Sequence, residues 1–385
     1  MLFRRVLAST THRAIVISAL SLCAIAGTTT VPATAEIVAL GELSNIEFLD
    51  TAWSFEKASA TLGLTYGTLD QRDNPARATA GLYLPPGLPP QGGWPLVVWA
   101  HGTIGIGNDC APSRRPQSER NRTYFNQILD NGYAVLAPDY QGLGTGGNFS
   151  YYNTEVEARS ILDAVSAARR LPLPLSADWV LVGQSEGAHA VMSAADRYAR
   201  TGGGGAAGLS GVVATGLRTD PAKSLPEMFR ATSTGSANQI GYAAYYLASL
   251  EDRHPGSVRP HLSDFGAQFV EKAATTCLSD LVAAADGRRP ASLVADPDHP
   301  TPSFEADLAE LTGYRDDALP TDVMIGYGTA DIDVPSTETS AYTTLLQSRN
   351  PNITVTVKEY AGKDHSGAFL ASLPDTLSFL RSHLR

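Results

Sequence analysis

The sequence predicts an α/β protein: a mostly parallel central sheet with flanking helices and an inserted helical cap. Three observations predict it. Short apolar runs alternate with amphipathic helical stretches, a glycine-flanked serine stands where one run passes into a helix, and the alternation stops at residues 220–316 before it resumes. Of the 385 residues, 43% are hydrophobic and 18% charged, a balance that fits a core-rich chain and excludes collagen, coiled coil and disordered tail. Lys+Arg of 29 against Asp+Glu of 39 leaves a formal charge of −10, which argues against a nucleic acid partner.

The N-terminus reads as an export signal over residues 1–35. Arg4, Arg5 and Arg13 lead into the apolar run Ala14–Ala26, too short to span a bilayer comfortably and the right length for a signal core. Ala33-Thr34-Ala35 supplies the small residues of a cleavage site, so cleavage is expected after Ala35. An uncleaved anchor, or a lipid anchor at Cys23 behind bulky Leu22, fits less well. The remaining chain carries 26 basic and 39 acidic residues, a charge of −13 that serves solubility outside the cell. It keeps two cysteines, Cys110 and Cys277, which in an exported protein most simply form one disulfide. No later apolar run is long enough for a stable membrane span.

Beyond the signal, each element has its own mark. Ala78–Leu84 alternates like a strand and stops at Pro85-Pro86. Trp94–Ala100 is a continuous apolar run, as expected of a strand covered on both faces. A helix follows over Tyr124–Asn131, closed by Gly132, then the strand Tyr133–Pro138. Thr154-Glu-Val-Glu157 reads as a capping box opening a helix whose inner face carries Ala158, Ile161, Leu162 and Val165. Trp179–Val182 is a short strand, and the helix after it turns Ala188, Val191, Met192 and Ala195 inward. Ser210–Thr215, Asp322–Tyr327 and Ile353–Tyr360 complete the strands. The core thus occupies residues 36–219 and 317–385, and residues 220–316 read as a helical cap inserted between its two parts.

The chemistry sits in three separated places. Gly183-Gln-Ser-Glu-Gly187 matches G-x-S-x-G between a strand and a helix, the setting in which that motif carries meaning. The tight turn would raise the Ser185 hydroxyl above the sheet, and the backbone N–H of Glu186, at a helix N-terminus, would face a developing oxyanion. The plain alternative is a glycine-rich connecting turn. A serine hydroxyl needs a base, and the order Ser, acid, His places the partners after late strands. Asp331 follows the strand Asp322–Tyr327 and His365 follows the strand ending at Tyr360; Asp333 is a rival acid and Asp364 a loop residue. The loop His101-Gly102-Thr103 would supply the second oxyanion donor, from the N–H of Thr103 or of Gly102, with His101 itself stabilising the turn.

Other motifs carry less. Gly142–Gly147 fits G-x-G-x-x-G, but no helix opens after it, so a dinucleotide site is not expected. His189 reads as a helix-packing residue, and His254, His261 and His299 lack metal-ligand spacing. Sequons at Asn121, Asn148 and Asn352 matter only in a glycosylating host. The tyrosines of residues 220–316 read as core, some of them walls of an acyl pocket.

Taken together, Ser185 in its turn, the His101-Gly102 loop, Asp139-Tyr-Gln-Gly-Leu-Gly144 and the ordered Asp331 and His365 resemble the α/β-hydrolase superfamily. More narrowly, His101-Gly-Thr followed by Cys110-Ala-Pro-Ser, and Gln184-Ser-Glu-Gly-Ala-His, resemble secretory lipases of the Candida antarctica lipase A type. The likeness covers most of residues 60–385. It implies a large helical lid before the catalytic acid; the departures are Gln184 and Glu186, where relatives often have His or Tyr and Gln or Gly. The expected activity is hydrolysis of small-molecule or lipid carboxylic esters by a secreted enzyme, with Ser185, Asp331 and His365 as triad. No metal or organic cofactor is expected, and contact with a lipid interface would be transient. A serine peptidase or amidase would use the same triad, and a non-catalytic binding protein on this scaffold would normally have lost one of its members.

Overall fold

Among the described residues, nine strands form one sheet. The computed structural model describes residues 38–230, 235–299 and 302–384, so the expected signal and its cleavage site lie outside the described residues. In chain order come β1 (Leu43–Phe48), β2 (Ala60–Leu69), β3 (Pro75–Leu84), β4 (Trp94–Ala100), helix α1 (Glu119–Asp130) and β5 (Ala134–Pro138). Then follow α2 (Thr154–Ala168), β6 (Leu175–Gln184), α3 (Glu186–Thr201) and β7 (Leu209–Thr215). Five helices come next: α4 (Pro221–Phe229), α5 (Gln239–Arg253), α6 (Asp264–Ala273), α7 (Leu278–Ala284) and α8 (Pro302–Thr312). The sheet resumes with β8 (Val323–Gly328), α9 (Ser336–Arg349), β9 (Val355–Tyr360), α10 (His365–Ala371) and α11 (Leu373–His383).

The first strands pair antiparallel, β1 with β2, β2 with β3 and β3 with β5. From β5 through β4, β6, β7 and β8 to β9 every pairing is parallel. Side chains alternate across a strand, and here both faces are apolar. Leu96, Val98 and Ala100 of β4 pack on the side of α2 and α3, where Ile161, Val165 and Val191 meet them. Val97 and Trp99 point the other way, into a second core built with Phe125 and Ile128 of α1, Phe369 of α10 and Leu380 of α11. The expected continuous apolar runs are therefore central strands of a sheet covered on both sides.

Strands β1 and β2 have no mark in the sequence pattern. Gly63 and Gly67 interrupt the apolar run of β2 because the chain passes too close there for a side chain: a Cβ on Gly67 would lie 2.3 Å from the Ala39 carbonyl oxygen. The expected capping box is also corrected. The N-cap of α2 is Asn153, whose side chain accepts from the Val156 N–H, and Thr154 is already helical. Glu157 is released from capping and turns into the core, where His189 meets it. Helix α1 begins five residues before the expected start at Tyr124, its polar first turn held by the Ser118 side chain.

Candidate active site

The turn that carries Ser185 is built from close backbone approaches. Ser185 has φ +61° and ψ −123°, a conformation that strains a residue with a side chain. Glycines on either side make room for it. A Cβ on Gly183 would lie 2.0 Å from the Gly187 carbonyl oxygen, and one on Gly187 would lie 1.9 Å from that of Ala100. The Ser185 N–H donates to the Thr215 carbonyl at 2.9 Å, which ties the turn to β7. Glu186 is the first residue of α3, so its N–H has no acceptor inside the helix and faces outward from the positive end of the helix dipole.

His365 and Asp331 reach this point from the far end of the sheet. The Asp364 side chain caps α10 by accepting from the Gly367 N–H at 2.7 Å, so the expected loop residue starts the helix that carries His365. Thr329 N–H donates to the Tyr360 carbonyl and Ala330 N–H to that of Lys363, which draws the two loops together. His365 Nδ1 then lies 2.6 Å from Asp331 Oδ2. The other oxygen, Oδ1, accepts from the N–H groups of Asp333 and Val334, both at 2.9 Å. Asp331 is thus fixed by three hydrogen bonds, and with Nδ1 engaged, the buried His365 Nε2 is left without a partner. The rival Asp333 turns its carboxylate to the Ser236 hydroxyl instead.

Gly216 also shapes the site, with no mark in the sequence around it. Its φ is +63°, and a Cβ there would stand 2.8 Å from His365 Cε1.

Gly102 brings the third loop in: a Cβ there would lie 2.9 Å from the Gln184 carbonyl oxygen and 3.2 Å from Ser185 Cβ. Thr103 follows, with its hydroxyl 2.6 Å from that of Tyr151. His101 is occupied with the turn. Its Nδ1 lies 2.9 Å from the Gly102 carbonyl oxygen, and Tyr140 donates its hydroxyl proton to the His101 carbonyl. Asp139 anchors the next loop through Thr79 and through the backbone N–H and hydroxyl of Ser113.

A cavity of about 180 Å³ is lined by Thr103, Gln184, Ser185 and His365 together with Asn238, Tyr242 and Leu278 of the helical segment. That segment is joined to the loop after β4. Cys110 and Cys277 form a disulfide, and the Leu278 N–H donates to the Ile104 carbonyl at 2.8 Å. Behind Ser185, Tyr151, Tyr152 and Tyr246 pack against one another, and Tyr151 and Tyr152 are fully buried phenols whose ionisation burial opposes.

His189 holds a second buried pair. Its Nε2 donates to the Thr312 carbonyl at 2.9 Å, and its Nδ1 lies 2.8 Å from Glu157 Oε2. Burial pushes the Glu157 carboxyl well above the usual carboxylate range and His189 down to about 4. The pair therefore shares one proton, held on the carboxyl and donated to Nδ1.

The parallel sheet, the strand–turn–helix at Ser185 and the order of the three loops define the α/β-hydrolase fold. Residues 117–290 match the family model described as secretory lipase. Among solved structures, the chain is similar to lipase A of Candida antarctica, at 18% identity over 90% of this chain and 82% of that one, with a TM-score of 0.70. It is similar also to the cell wall degrading esterase LipA of Xanthomonas oryzae, at 20% identity over 89% of this chain and 98% of that one, again with a TM-score of 0.70. No curated protein sequence matches the chain. The expected resemblance to secretory lipases holds over residues 117–290, and the likeness to the two solved structures is one of fold. Among the described residues, no helix is long and apolar enough to cross a membrane.

Proposed function

We propose that this α/β-hydrolase is an exported serine enzyme that cleaves carboxylic esters through an acyl-enzyme, with Ser185, His365 and Asp331 as its triad. The observation that carries the reading is that Ser185, at a strained turn, lines one cavity with a histidine whose Nδ1 is held by a buried carboxylate. His365 Nε2 takes the proton as the Ser185 hydroxyl attacks the ester carbonyl. Asp331 keeps the imidazole in the required tautomer and stabilises the imidazolium, without accepting the proton itself. The backbone N–H groups of Glu186 and Thr103 hold the oxyanion. His365 then protonates the leaving alcohol, and water resolves the acyl-enzyme by the reverse route.

Residues 220–316 act in this reading as a cap over the site, supported by the cavity wall that Asn238, Tyr242 and Leu278 supply. Export rests on the N-terminal pattern and on the disulfide, a bond that persists in oxidising compartments. Ser185→Ala is expected to lower ester turnover by at least ~10⁴-fold while the circular dichroism spectrum and melting curve stay those of the wild type. Turnover by that folded variant at the wild-type rate sinks the triad. Sequencing the exported protein tests the cleavage site, with Glu36 expected as the first residue.

A further inference from the structure

The cavity at Ser185 has a charged wall that ester hydrolysis as such does not require. Arg120, the second residue of α1, lines it together with Ser185 and His365. Among the described residues, no carboxylate pairs with its guanidinium. Nε and Nη2 reach Asn121 Oδ1 only at 3.4 and 3.3 Å, and Nη1 reaches Ser366 Oγ at 3.4 Å. The guanidinium carbon lies 5.1 Å from the centroid of the Phe369 ring, a favourable face for a cation but not a counter-ion. Asp333, the carboxylate on the same cavity, is engaged by Ser236 and does not reach Arg120.

A half-buried guanidinium without a counter-charge is poorly compensated. A planar anion presenting two oxygens would offset this, since the guanidinium fork matches a carboxylate in two-point contact. The small volume limits the anion to a short distance from the scissile carbonyl.

We infer that the preferred ester carries a carboxylate, bound by Arg120 a few bonds from the carbonyl that Ser185 attacks. The inference rests on the ester-hydrolase reading and names its substrate class. The anion belongs either to the acyl part, as in a monoester of a dicarboxylic acid, or to the alcohol part, as in an acylated hydroxy acid. Both present the same chemistry to the wall.

The test uses two matched pairs. The acyl arm compares the para-nitrophenyl monoester of adipic acid with its terminal amide. The alcohol arm compares meta-carboxyphenyl butyrate with meta-carbamoylphenyl butyrate. In each pair charge changes while shape is nearly kept, and the readout is the ratio of kcat/KM for acid over amide. In the wild type this ratio is expected to be about 10 or more in one arm, which also identifies the part that bears the charge. In Arg120→Gln the ratio should fall by at least ~10-fold, and in Arg120→Lys, which keeps the charge and loses the fork, by a smaller factor. A wild-type ratio at or below one in both arms overturns the inference, and so does a ratio that Arg120→Gln leaves unchanged. Inertness towards all four esters, with Ser185 unlabelled by a fluorophosphonate, overturns the ester-hydrolase reading and this inference with it.

Discussion

The left-handed backbone of Gly216 lets it lie against the imidazole of His365, where a Cβ would come within 2.8 Å of Cε1. Gly216→Ala therefore pushes the ring away from both Asp331 and Ser185. We expect kcat/KM to fall ~100-fold, since small misplacements of a catalytic base cost that much, while stability drops by about 1–2 kcal/mol from the backbone strain. Ester kinetics beside urea unfolding separates the two effects. Gly187→Ala meets backbone instead: its Cβ would lie 1.9 Å from the Ala100 carbonyl oxygen. That contact cannot relax by a side-chain rotation, so a loss of ~3 kcal/mol or more, with poor soluble yield, is expected. Gly183 and Gly187 are legible in the sequence because the serine between them gives them a local motif. Gly216 is not, because the ring it accommodates is brought by another loop. The same holds for the choice between Asp331 and Asp333. Spacing leaves both open; in the fold Asp331 is the one that meets His365, while Asp333 accepts from Ser236.

Helices α2, α3 and α8 meet at the Glu157–His189 pair, where the imidazole bonds the Thr312 carbonyl at the end of α8. The pair ties the last helix of the inserted segment to the helix that starts at Ser185. Its proton count sets a pH dependence. Folded, it holds one proton from above about 4, the lowered value of His189, up to the raised value of Glu157. Unfolded, it holds two protons below about 4.5, one up to about 6.5 and none above. Stability from the pair is thus level between those two values. It declines above pH 6.5, where the folded state retains the extra proton, by up to about 1.4 kcal/mol per pH unit. Glu157→Gln removes that proton from both states, so its unfolding free energy should not share the alkaline decline; urea unfolding of both proteins between pH 6.5 and 8.5 checks it. Element starts were the least legible feature at this scale. Thr154-Glu-Val-Glu157 has the form of a capping box, yet a glutamate fully buried beside His189 cannot also return to the helix start. Periodicity found the inner faces of α2 and α3 correctly because it depends only on residues of one helix.

Across the whole molecule, one disulfide closes a loop of 167 residues and joins the loop after β4 to the inserted helices. Removing it in the double variant Cys110→Ala, Cys277→Ala is expected to cost roughly 2–5 kcal/mol, chiefly by freeing the unfolded chain. A denaturant midpoint equal to that of the wild type would contradict this. The same variant should lose ester turnover, because that bond, with the Leu278–Ile104 hydrogen bond named above, holds the chain beside Thr103 to the inserted segment.

By itself, the sequence determined the α/β class, the strand–turn–helix at Ser185, the place of His365 after the last strand and the break in rhythm at residues 220–316. Each is written in contiguous residues, as a period, a turn or an order along the chain. Tertiary structure alone decided that Asp331 holds His365, that Glu157 leaves the helix cap for His189, and that Arg120 stands uncompensated at the cavity of Ser185. The physical reason is common to all three. A charged or polar side chain is satisfied by whichever partner the fold brings within hydrogen-bond reach, and those partners lie tens to hundreds of residues away along the chain.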